Sequence, residues 1–206
     1  MAEFKPNLAV NIPVIAVAAM VVALDGGWGY LETYVASYLH SYSDSITTSK
    51  VHILYSIMMG SGIIGAQIFH PVCSRLGYRE AMSLSLLLAA TGSFICMNST
   101  TIWGFVIPSM LFGIGVALRI LSCSFFMVEI MPNNYALAAG LGNVGAALTP
   151  TFWGWVPLFI TNPNNSSPDI EVVEHSRISY YFGDAVASKV PDLFFATMMI
   201  SLAASI

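Results

Sequence analysis

Charge is what this chain has least of. Of 206 residues, seven are Lys or Arg and eleven are Asp or Glu, together 9%, against roughly 25% in ordinary soluble domains. With 56% of its residues apolar, a soluble fold of this size could not cover its surface. Basic charge is scarcer still, and the net charge of -4 excludes nucleic-acid binding, which needs a basic face. Cysteine is nearly absent as well. Cys73, Cys96 and Cys123 stand singly in apolar sequence, without the Cys/His spacing of a metal site, and they read as small buried hydrophobes. There is no glycine-rich phosphate loop, and Ser124 and the other serines lack a His in a polar setting. Neither an enzyme nor a cofactor is expected.

What the chain has is apolar length. No charge falls between Lys50 and Arg75, between Glu80 and Arg119, or between Glu129 and Asp169. Six apolar segments emerge, at about 13–39, 51–73, 81–97, 102–131, 135–160 and 191–206. Runs of this length match the ~30 Å hydrocarbon core of a bilayer as helices, the longer ones tilted or bent. They are continuously apolar, unlike the alternating strands of a membrane barrel. The expectation is an all-α membrane protein, a multi-pass bundle of six transmembrane helices whose first partner is the lipid bilayer. Residues 1–160 would hold helices one to five, 161–190 an extramembrane loop, and 191–206 the start of helix six.

The connections carry the topology. Segments two and three meet at the tight basic stretch Ser74-Arg75-Leu76-Gly77-Tyr78-Arg79-Glu80, and segments three and four at Asn98-Ser99-Thr100-Thr101. Segments five and six are separated by a polar stretch opening Asn162-Pro163-Asn164-Asn165, which is turn chemistry. Its later part, Ile170 to Ser188, is expected to form a short surface helix. With the N-terminus inside, Lys5, Arg75 and Arg79 fall inside and Lys50, Arg177 and Lys189 outside, so the positive-inside rule does not choose. The sequons at Asn98, Asn164 and Asn165 all fall outside in this arrangement. They favour a glycoprotein and lean toward the plasma membrane.

Several motifs resemble a known family. The Arg75-Leu-Gly77-Tyr-Arg79 turn resembles the cytoplasmic loop signature of the major facilitator superfamily, with Ser74 in its Asp place and His70 in its leading Gly place. Asp25-Gly26-Gly27-Trp28-Gly29-Tyr30 resembles the first-helix motif of the monocarboxylate transporters. Gly113-Ile-Gly115 and the Ala136–Gly145 run, with Gly140 and Gly145, resemble helices four and five of that branch and of the oxalate/formate exchangers. The resemblance covers essentially the first 160 residues. It implies half of a major facilitator fold, a secondary transporter moving a small organic solute, such as a monocarboxylate or other organic anion, by alternating access. It also implies a solute path between two six-helix halves, of which the second is absent from this sequence. The missing half, or a partner membrane subunit, is therefore an expected partner. The alternative reading is a non-transporting structural subunit that retains half of the fold.

Four residues are candidates for the solute or proton pathway: Asp25, Trp28, Glu32 and Arg119. Asp25 and Glu32 lie seven apart, on one face of a helix, with Trp28 between them. Charge inside a span costs a few kcal/mol and usually faces a cavity or partner. Asp25 either serves such a path or caps the Gly26-Gly27 break, and Glu32 either serves it or lies wet at the outer interface. Arg119, the one base of segment four, is expected to be buried and compensated by an acid of segment one, foremost Asp25. His52 and His70 read as interface or packing residues. Gly62 with Ala66, and Ala138 with Gly142 and Ala146, read as packing surfaces, as do Gly113, Gly115, Gly140 and Gly145. No metal ligands are expected.

Overall fold

The computed structural model describes residues 28–130, 136–137, 140, 154–174 and 177–205. Four long helices dominate: α1, Trp28–Tyr42; α2, Thr48–Leu76; α3, Tyr78–Met97; and α4, Ile102–Ile130. Residues 154–161 are helical. Strands β1, Ile170–Glu174, and β2, Arg177–Tyr181, precede a short helix α5, Asp184–Ala187, and a last helix α6, Val190–Ala204. Among the described residues, four stretches are long and apolar enough to cross a membrane: Thr48–Leu76, Tyr78–Met97, Ile102–Phe126 and Asp184–Ala204.

Small residues set how closely these helices pack. On α2, Val51, Leu54, Met58, Ser61 and Gly65 are buried, and their spacing of three and four puts them on one face. That face lies along α4, which in turn packs along α3, and α3 along α6. A Cβ on Gly113 of α4 would run into the Met58 carbonyl and the Ser61 hydroxyl of α2. One on Gly65 would lie 2.6 Å from the Ile114 carbonyl oxygen. One on Gly115 would lie 3.0 Å from the Ser85 carbonyl oxygen of α3. Of the expected Gly62–Ala66 pair, Gly62 faces α4, where a Cβ would lie 3.5 Å from the Gly113 carbonyl oxygen, while Ala66 is exposed and the tighter approach falls at Gly65. Ala138, Gly142, Gly145 and Ala146 lie outside the described residues.

A single residue, Gly77, joins α2 to α3 at φ +96°, a backbone setting that glycine tolerates without steric cost. Its N–H closes α2 on the Cys73 carbonyl at 2.9 Å, and its carbonyl accepts the Ala81 N–H at 3.1 Å. Arg75 and Arg79, on either side, are exposed. At the other end of α2, Thr47 caps the helix by accepting the Lys50 N–H at 3.3 Å, the usual service of a threonine at that position.

The polar stretch between residues 161 and 190 is not the simple loop with a surface helix that its composition suggests. Strands Ile170–Glu174 and Arg177–Tyr181 pair antiparallel as a hairpin, Val172 with Ser179 and Ile170 with Tyr181. Its β-branched and aromatic content favours strand over helix. Only Asp184–Ala187 is helical before α6. The hairpin seats on the ends of α1 and α2. The Tyr181 hydroxyl accepts the Thr48 backbone N–H at 3.1 Å, and its ring stacks on His40 with centroids 4.3 Å apart. The Phe182 N–H donates to the buried Ser37 hydroxyl at 2.9 Å, and the Phe182 ring stacks on Tyr34.

Candidate functional site

α1 begins at Trp28 and runs to a turn closed by its own side chains. His40 Nδ1 lies 3.0 Å from the Ile46 carbonyl, and the Lys50 ammonium reaches back to the Ser45 carbonyl at 2.6 Å. α2 then packs against α1, and the packing brings Glu32 and His52, twenty residues apart in sequence, side by side. The His52 ring donates from Nδ1 to the Glu32 carboxylate, 3.1 Å from one oxygen and 3.3 Å from the other. A carboxylate only accepts, so this contact fixes Nδ1 as the protonated nitrogen. Glu32 is largely shielded, at 18% exposure, while His52 is open at 61%. The Tyr55 ring lies 5.9 Å from the imidazole. Sequence reading treated His52 as an interface or packing residue, whereas the structure joins it to Glu32.

Arg119 occupies a different place. It stands in α4, ~26 Å along the axis from Ile102 and ~11 Å from Phe126, the far end of the stretch long and apolar enough to cross a membrane, at ~1.5 Å per residue, so it lies within that stretch, nearer its C-terminal end. It is 1% exposed. Its Nε–H donates to the Ser85 hydroxyl of α3 at 3.2 Å, and that hydroxyl donates in turn to the Met82 carbonyl at 2.6 Å. The close approach of Gly115 to the Ser85 carbonyl draws α3 and α4 together here, one turn before Arg119.

The remaining candidates fall as follows. Asp25 lies outside the described residues, so the Asp25–Arg119 pairing expected from the sequence does too. Trp28 is the first residue of α1. Gly140 is helical, and a Cβ there would meet nothing within 4 Å, unlike Gly113 and Gly115. Among the described residues no group of three or more His, Cys, Asp or Glu is arranged to hold a metal ion.

Comparison with known proteins adds two findings. Residues 13–146 match the sugar (and other) transporter family. Over 129 residues the chain is 27% identical to the 4-hydroxybenzoate transporter PcaK of Acinetobacter baylyi, covering 56% of this chain and 28% of that protein. The chain thus spans well under a third of the length of this relative. No solved structure matches.

Proposed function

The chain belongs to the sugar (and other) transporter family, and from that premise we propose that it forms a six-helix half of a major facilitator carrier for a small organic anion. The family makes it a multi-pass membrane protein that serves transport rather than catalysis. Its partners are a lipid bilayer and a small solute. Arg119 marks the path: a guanidinium buried inside the fourth span belongs beside a charged partner or a water-filled cavity, because charge in hydrocarbon is costly. The relative named for 4-hydroxybenzoate supports a carboxylate as the solute. In this reading Asp25, Trp28 and Glu32 on the first span and Arg119 on the fourth belong to the solute or proton pathway. Asp25 supplies the charge opposite Arg119, and the path opens and closes by alternating access between this half and a second one.

The test is uptake in cells that natively carry the protein, edited at one codon. Radiolabelled 4-hydroxybenzoate and a neutral sugar are offered in parallel. Saturable uptake of the acid is expected, and Arg119→Gln should lower it at least tenfold. Arg177→Gln, in the connecting hairpin, should leave it within twofold of wild type. Equal effects of the two changes, or no uptake of the acid by wild type, would count against the reading and leave a non-transporting subunit.

A further inference from the structure

α2 presents an exposed face unlike those of the other spans. On α4 the exposed large residues include Trp103, Ile107 and Phe125, and on α6 Phe195, Met199 and Leu202; such faces suit lipid. On α2, His52, Ser56, Gly60, Gln67 and His70 are all exposed. At ~100° per residue they fall within about 80° of arc, and from His52 to His70 they run ~27 Å, close to the thickness of the hydrocarbon core. Met59 and Ile63 interleave with them. Imidazole, hydroxyl and carboxamide groups, His52 and Ser56 toward one end of this face and Gln67 and His70 toward the other, are costly against acyl chains and belong beside water or polar solute. At one end of this stripe sits the Glu32–His52 pair.

We propose that His52 binds the carboxylate of the transported solute, oriented by Glu32, at the outer end of a polar stripe on α2 that lines the solute's path. The proposal rests on the organic-anion reading above and names a contact within it. Glu32 holds the Nδ1 edge of the ring at 3.1 Å, which leaves Nε2, on the other edge of a side chain 61% exposed, for the solute. With Nδ1–H committed, Nε2 donates a hydrogen bond only as the imidazolium, whose charge Glu32 balances. A carboxylate arriving at Nε2 then meets a charge-assisted donor, and the Tyr55 ring beside it offers an apolar face to the rest of an aromatic acid. Glu32 acts here as a positioning residue and does not itself touch the solute.

Uptake of benzoate in natively expressing cells tests the contact, with benzamide as an uncharged competitor. His52→Gln is expected to raise the KM for benzoate about tenfold, with Vmax within twofold of wild type. His52→Arg, which keeps a cation, should recover most of that loss. Glu32→Gln should shift KM in the same direction by a smaller factor. Benzamide should compete poorly with wild type, and the margin over benzoate should narrow in His52→Gln. A wild-type KM in His52→Gln would overturn the proposal. An independent arm covers variants that fold poorly: Ser56→Cys or Gln67→Cys in proteoliposomes should react with a membrane-impermeant thiol reagent, and benzoate should slow the reaction. No reaction at either position, as for a face covered by lipid or by another helix, would also overturn it. Failure of the functional reading looks different, since wild type would then take up no benzoate at all while both cysteines still reacted.

Discussion

At the scale of single residues, close helix packing in this bundle rests on what is missing from glycine. Gly113 and Gly140 look alike in the sequence, both in small-residue patches of apolar segments. The structure separates them. A methyl on Gly113 has no room, because the Met58 carbonyl and Ser61 hydroxyl already fill its place and backbone cannot swing aside. Gly113→Ala should therefore cost about 1–3 kcal/mol, the usual range for overpacking, and lower the melting temperature of the detergent-purified protein by several degrees. Gly140→Ala, with open space around it, should change stability by about 0.5 kcal/mol or less. Equal melting shifts for the two variants would show that α2 and α4 are not held at the distance described. Arg119 is the polar counterpart. Its burial was legible because an Arg seventeen residues into an apolar run has no short route to water. Its partner on α3 was not, since Ser85 is one of many serines and nothing in its spacing marks it.

At the scale of elements, the hairpin ties the ends of α1 and α2 together. The Tyr181 hydroxyl takes up the Thr48 amide, one of the N–H groups that the first turn of α2 leaves without a helical partner, and also accepts from the Thr48 hydroxyl at 3.2 Å. Tyr181→Phe keeps the ring on His40 but strips that acceptor from a buried setting. It should cost about 1–2 kcal/mol, measured as a fall in melting temperature, and a ring-deleting Tyr181→Ala should cost more. If Tyr181→Phe melts with wild type, the hydroxyl contributes nothing to the seat of the hairpin. This element was misread from sequence for a definable reason. Ile170-Glu-Val-Val-Glu174 and Arg177-Ile-Ser-Tyr-Tyr181 mix charges and apolar residues, and over five residues a charged amphipathic turn and a strand look similar. The distinguishing sign was the β-branched and aromatic content of both halves. The four spans among the described residues were easier, because a run of about twenty apolar residues has few alternatives. The Glu32–His52 pair was hidden. Glu32 stands ten residues before the end of α1 and His52 four after the start of α2, so counting outward from the turn does not bring them level. Only the packed geometry of the two helices does.

At the scale of the molecule, the contacts assign the two ends of the bundle. The hairpin touches the last turns of α1 through Ser37 and the first turn of α2 through Thr48, and Phe105 at the start of α4 meets Phe194 at the start of α6 with centroids 5.7 Å apart. The α1–α2 turn, the hairpin and the starts of α4 and α6 therefore share one end. α2 carries the chain ~43 Å away from it, at 1.5 Å per residue over its 29 residues, to Gly77, and α3 returns ~30 Å over its 20 residues. Tyr78 then lies at the opposite end from Ser99 and Ser166. Single cysteines at these positions, in a background with Cys73, Cys96 and Cys123 replaced by Ala, report the arrangement directly in sealed vesicles of one orientation. An impermeant thiol reagent should label Ser99→Cys and Ser166→Cys from one side, and Tyr78→Cys only once the membrane is opened, or the reverse in inverted vesicles. If Tyr78→Cys labels with Ser99→Cys, α3 does not cross the membrane, and the half-carrier reading falls with it. If Ser166→Cys parts company with Ser99→Cys, the hairpin cannot sit on α1 as described, because no hydrogen bond from the Phe182 N–H to the Ser37 hydroxyl can form across a bilayer.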